Sequence, residues 1–97
     1  MENRKEYPFI TTEVVTRKYY VIKKRSRRPE FIGLKQLVEN SRFVLGDVFQ
    51  ALECNSTTDA HHWLECYLQE NKKEKKEDFD VVLLEIEVKY PTIEYTW

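Results

Sequence analysis

The chain has 97 residues, with 16 Lys and Arg against 17 Asp and Glu for a net charge of −1, and only 2 Gly and 3 Pro. That length suits one domain, and the composition excludes collagen, low-complexity disorder and a Gly-rich phosphate cradle. No apolar run approaches the roughly 20 residues of a membrane-spanning helix.

Other bulk features narrow the reading. Aromatic residues make up 13% of the chain, which helps a short sequence build a core. Cys54 and Cys66 are the only cysteines, too few for a small scaffold built on disulfides. No apolar signal core follows Met1–Glu6, so a cytoplasmic location is expected. Charge is segregated: residues 1–48 hold 11 basic and 6 acidic side chains, and residues 49–97 hold 5 and 11. A near-neutral total therefore hides a dipolar sequence.

In chain order, residues 1–12 carry no strong pattern and are expected to be a flexible N-terminus. Glu13 to Lys24, EVVTRKYYVIKK, is dense in Val, Ile, Tyr and Thr and predicts a long strand. Arg25-Ser26-Arg27-Arg28-Pro29 breaks it, because Pro29 lacks an amide hydrogen and holds Arg28 extended. Phe31 to Val38 predicts the second strand, with Ile32, Leu34 and Val38 on one side. Asn40 to Asp47 reads as a connection turning at Gly46-Asp47. Val48 to Asn55 is taken as the third strand, although VFQALEC would also continue a helix.

The sharpest pattern follows. Ala60, Trp63, Leu64, Tyr67 and Leu68 fall at i, i+3, i+4, i+7 and i+8, one face of a helix. Ser56, with Asp59 three residues on, resembles a capping box in which Asp replaces Glu. The helix is predicted from about Thr57 to Glu70. Residues 71–78, NKKEKKED, form a charged loop with no apolar anchor. Phe79 to Tyr90 predicts the last long strand, its Val82, Leu84, Ile86, Val88 and Tyr90 on one face. Pro91 should end it, leaving 91–97 as a tail or a fifth edge strand. The expected fold is a small two-layer α+β domain spanning 1–97. Its order is β-β-β-α-β, with a mostly antiparallel sheet of four to five strands and one main helix.

Three constellations carry chemical meaning. Cys54, His62 and Cys66, with Glu65 or water, could supply zinc ligands, but no CxxC or HxxxH pair accompanies them. The expectation is no metal and no cofactor: the cysteines act as small apolar residues, and His61 and His62 occupy the exposed flank of the helix. A Cys–His nucleophile would also need a pocket and an oxyanion hole, and there is no nucleophile elbow, GxGxxG or P-loop. A catalytic role is not expected. The paired carboxylates Asp78/Asp80 and Glu85/Glu87 read as the wet side of a strand.

The remaining features point to binding. Arg17, Lys18, Lys23, Lys24, Arg25, Arg27 and Arg28 are interleaved with Tyr19 and Tyr20, the mixture that single-stranded nucleic acid favours. The isoelectric point near 6.1 argues for a solubilising hairpin tip or a protein contact instead. Tyr95 and Trp97 alternate with Ile93 at the C-terminus and either fold back or anchor a partner. Lys23, Lys24, Arg25, Arg27, Arg28, Tyr95 and Trp97 are the expected partner-binding residues.

The succession YYVI, FIGL, DAHHWLECYL and VVLLEIEV, over about residues 14–90, resembles the small accessory proteins that phages encode in their early regions. Several of these inhibit host enzymes or host defence. The resemblance implies a non-catalytic inhibitor in the host cytoplasm, binding a host protein or a protein–nucleic acid complex. No functional residue is carried across from it. Direct nucleic-acid binding through residues 17–28 is the alternative, and a small metal or thiol site the next. No membrane partner is expected, and both monomer and homodimer fit the pattern.

Overall fold

A computed structural model describes residues 8–95. The elements in order are β1 (Pro8–Lys24), β2 (Glu30–Gln36), β3 (Ser41–Gly46), a 3-10 turn at Val48–Gln50, α1 (Thr57–Glu70), a second 3-10 turn at Lys76–Asp78, and β4 (Phe79–Tyr95). The strands form one four-stranded antiparallel sheet in the order β3-β2-β1-β4. The architecture is therefore the small α+β fold expected from the sequence.

The helix forms where its caps and apolar spacing place it. Ser56 Oγ accepts from the Asp59 amide at 3.0 Å, and Asp59 Oδ2 accepts from the Asn55 amide at 3.3 Å. The reciprocal bond of a capping box thus goes one residue further back than usual. Ala60, Leu64 and Tyr67 are the buried residues of α1. They pack with Ile22, Ile32, Cys54 and Phe79 to form the core, flanked by Tyr20, Phe43, Leu45, Trp63 and Val81. Phe43 of β3 sits edge-to-face with both Trp63 and Tyr67, at 6.1 and 5.7 Å between ring centres. Tyr67 meets Phe79 the same way at 5.5 Å. Such contacts add about 1 kcal/mol each beyond burial.

Two expectations in the middle of the chain are corrected. The expected connection 40–47 contains β3, which pairs with β2 from Phe31↔Gly46 to Gln36↔Ser41. The expected third strand, Val48–Asn55, instead opens with a 3-10 turn. Asp47 Oδ1 accepts from the amides of Phe49 at 3.0 Å and Gln50 at 3.2 Å, which turns the backbone out of the sheet. The chain then ties itself to two strands in succession. The Leu52 amide donates to the Ile32 carbonyl at 2.9 Å, and Cys54 exchanges both main-chain bonds with Tyr20 at 2.9 Å. Tyr20↔Cys54 is an isolated antiparallel bridge, the residue of strand character in that segment. β1 and β2 themselves pair at Lys23↔Phe31 and Lys24↔Glu30.

Strand bounds also differ from those expected. β1 begins at Pro8 rather than Glu13, whereas β2 stops at Gln36, short of Val38. β4 runs through Pro91 to Tyr95, so no separate fifth strand is present among the described residues. β4 stands at an end of the strand order, where a proline without an N–H can be accommodated.

The chain divides into two compact units, residues 18–84 and residues 1–17 with 85–97. The first holds α1, β2, β3 and the whole core cluster. In the second, the described residues are Pro8–Arg17 of β1 and Glu85–Tyr95 of β4, which make a two-stranded ribbon.

Candidate functional site

Strand length explains why the described residues of the ribbon include no buried core. A 17-residue strand extends about 56 Å, whereas the 14-residue helix extends about 21 Å. One helix cannot cover strands of that length. Over 10–17 and 85–95 no residue is buried, and only Ile86 and Thr92 are half-buried. Ile10 is 71% exposed, Val14 53%, Ile93 54% and Tyr95 57%, with Val15, Val88 and Tyr90 also exposed. Seven sizeable apolar side chains therefore face water on a two-stranded ribbon. Such ribbons are marginally stable in isolation, and clustered exposed apolar surface marks interaction sites.

Of the expected partner-binding residues, Tyr95 belongs to this ribbon, and Trp97 lies outside the described residues. Ile10, Val14, Val15 and Val88 were not among those expectations. Ile10 and Val14 share one face of β1 and Val15 takes the other, so alternation alone does not single them out. Their exposure follows from strands of 17 residues set against a helix of 14, strand lengths that the sequence pattern does not display.

The basic residues occupy a different setting. Lys24 Nζ reaches Glu74 Oε2 at 2.9 Å, and Tyr67 Oη donates to the same oxygen at 3.1 Å. The Lys24 ammonium also stands 6.0 Å from the centre of the Phe79 ring. Arg25 grips Asp80 with Nε to Oδ2 and Nη2 to Oδ1, both at 2.7 Å, and its Nη1 donates to the Glu77 carbonyl at 3.0 Å. The Arg25 amide donates to the Asp78 carbonyl at 2.8 Å. Lys23 is half-buried, while Arg27 and Arg28 are exposed on the turn where Ser26 Oγ donates to the Arg28 carbonyl. The loop 71–78, expected to be merely solvated, thus holds Lys24 through the Glu74 carboxylate and Arg25 through the carbonyls of Glu77 and Asp78, while Asp80 of β4 takes the Arg25 charge.

These contacts set the local titration. The hydrogen bond from Lys24 holds the Glu74 carboxyl below its ordinary value, and Glu74 in turn raises Lys24. Arg25 lowers Asp80 in the same way. Burial, then Glu74, pushes the Tyr67 phenol up to about 12. Burial, with Asp59 nearby, pushes the Cys54 thiol up to about 11, away from the thiolate a nucleophile needs.

Cys54, His62 and Cys66 do not converge. Cys54 is fully buried with Sγ 3.8 Å from the Leu52 carbonyl. Cys66 is half-buried rather than buried, and its Sγ lies 3.8 Å from His62 Nε2 on the flank of α1. Among the described residues no three His, Cys, Asp or Glu side chains are grouped to hold a metal ion. A groove of about 440 Å³ is lined by Leu34, Lys35, Val44, Leu45 and Gln50, which offer no nucleophile–base pair. Among the described residues no helix is long and apolar enough to cross a membrane.

No protein-family model matches the chain, and neither a curated protein nor a solved structure shows a significant match.

Proposed function

We propose that the chain is a non-catalytic protein-binding module whose contact surface is the ribbon Pro8–Arg17 and Glu85–Tyr95. The observation that carries this is the seven exposed apolar side chains, distributed over both faces, on a ribbon with no buried residue over 10–17 and 85–95. A partner that covered them would supply the core the ribbon lacks. The resemblance to early phage proteins supports a protein of the infected cell as the target and inhibition as the outcome, acting in that cell's cytoplasm. Nucleic-acid binding at residues 17–28 is the second reading. It rests on exposed Arg27 and Arg28 and is weakened by the internal engagement of Lys24 and Arg25.

A tagged chain presented to bacterial lysate with and without nuclease tests both. The module reading expects one enriched protein that rebinds after purification and is lost with Val15→Asp or Ile93→Asp. It expects that protein to be retained by Arg27→Glu/Arg28→Glu. Binding that disappears with nuclease and with the arginine reversals transfers the assignment to nucleic acid.

A further inference from the structure

The β4 segment of the ribbon carries a pattern that pairs with itself. β4 stands at one end of the strand order, so no strand among the described residues lies along its outer edge. When two antiparallel copies of a strand are related by a two-fold axis through the sheet, opposite residues must share a face, so their numbers have the same parity. The only choice left is the residue on the axis. With Val88 there, Val88 meets Val88, Ile86 meets Tyr90, and Glu87 meets Lys89 twice over. Glu85 stands opposite Pro91, whose missing N–H removes one ladder bond per copy. Moving the axis one residue back puts Glu87 against Glu87, and one residue forward puts Lys89 against Lys89. Directly opposed like charges destabilise a sheet, and opposed unlike charges stabilise it. Glu87, Val88, Lys89 and Tyr90 are all exposed. Lys89 and Pro91 would ordinarily guard such an edge, but here the lysine has a glutamate waiting for it in one register.

We propose that the outer edge of β4 is occupied by β4 of a second copy of this chain, antiparallel and centred on Val88. This rests on the ribbon being a binding surface and names the occupant of one of its edges. The pairing extends the sheet across the two-fold and leaves the broad faces of both ribbons open to a further partner. Val88 and Tyr90 of each copy are then brought together with Ile86 on one face. The central Glu87–Lys89 pairs fix the register against slippage.

Charge exchange in the purified full chain provides the test. Sedimentation velocity should show a reversible dimer. Glu87→Lys sets a second lysine against Lys89 in both central pairs, and Lys89→Glu sets a second glutamate against Glu87. Each should weaken the dimer about tenfold. An equimolar mixture of the two variants restores opposite charges in the central pairs by matching lysines on one copy with glutamates on the other, and should recover the dimer as a heterodimer. That rescue also shows that both variants are folded. In a Cys66→Ser background, Val88→Cys should form a symmetric disulfide on mild oxidation, since the two Cα atoms on the axis fall within bridging range. A monomer at every concentration, or a dimer indifferent to both reversals, overturns the proposal. Capture of another protein by the ribbon would survive that result. Conversely, a charge-sensitive dimer that binds no other protein would leave self-pairing standing and remove the reading of a module for a foreign target.

Discussion

Arg25 and Asp80 lie 55 residues apart in the chain and meet through two parallel hydrogen bonds of 2.7 Å. Together with Lys24–Glu74 this pair joins the basic half of the sequence to the acidic half. The segregated charge is thus partly spent inside the residue 18–84 unit rather than displayed as two opposed surfaces. The fork of the guanidinium matches a carboxylate in a way an ammonium cannot. Arg25→Lys should therefore loosen the turn at 25–29. Faster hydrogen exchange at the Arg25 amide, which donates to the Asp78 carbonyl, is the measurement. Because the pair is exposed, molar salt should bring the wild type close to the variant.

Glu74 makes the fold sensitive to acid. Its carboxyl titrates below the ordinary value of 4.5 because Lys24 hydrogen-bonds the charged form. A depressed carboxylate contributes stability that is present above pH 4.5 and is lost as pH falls through its folded value. Asp80 acts in the same direction, below 3.8. Urea midpoints measured from pH 7 downward should hold steady and then fall below about pH 4.5. Glu74→Gln should cost about 1 kcal/mol at neutral pH and flatten that fall.

Alkali should act through Cys54 and Tyr67. Both are held protonated by burial, Cys54 to about 11 and Tyr67 to about 12. A raised acid contributes stability that is complete below its unfolded value and is lost as pH rises through its folded one. Stability should therefore begin to fall above pH 9.0, the ordinary thiol value, and fall faster above 10.0, that of the phenol. Cys54→Ala should remove the first stage and leave the second. At neutral pH a thiol reagent should titrate Cys66 in the folded protein and reach Cys54 only on unfolding.

Gly33 is required by closeness rather than by backbone conformation. A Cβ at that position would run into the main-chain carbonyl of Gln50, which cannot swing aside as a side chain would. Gly33→Ala should destabilise by about 2 kcal/mol, within the range for overpacking. It should also release the 3-10 turn at Val48–Gln50 from β2. Thermal unfolding gives the first quantity, and exchange of the Leu52 amide bonded to Ile32 reports the second.

The sequence displays the helix better than the middle of the sheet. α1 runs from Thr57 to Glu70 as its spacing predicts, because cap, apolar stripe and polar stop agree. β3 is obscured because Ser41–Gly46 is short and ends in glycine, and its Phe43 and Leu45 gain their meaning only from Trp63 and Tyr67 opposite. Val48–Asn55 has strand-like composition, but Asp47 redirects it by taking two amides, a local bond that propensity does not register. Pro91 marks an edge rather than an end, a distinction that depends on β4's place in the strand order. As for the candidate surface, Tyr95 could be singled out by its alternation with Ile93. The exposure of Ile10, Val14 and Val15 could not, because it depends on how much strand a single helix can cover.

The neighbouring position of β1 and β4 also has a kinetic meaning. Every other element of the chain intervenes between them, so their ladder rewards the chain only after a loop of about 55 residues has closed, at an entropic cost of roughly 3.5 kcal/mol plus a constant. The hairpin of β2 and β3 asks for no such closure. Folding should therefore begin with that hairpin and α1, and zip the two long strands last, on the slower timescale of non-local topologies. In the native state the order reverses. The ribbon segments of those strands, with no buried residue over 10–17 and 85–95, should be the first to open, and their amides should exchange before those of β2 and β3.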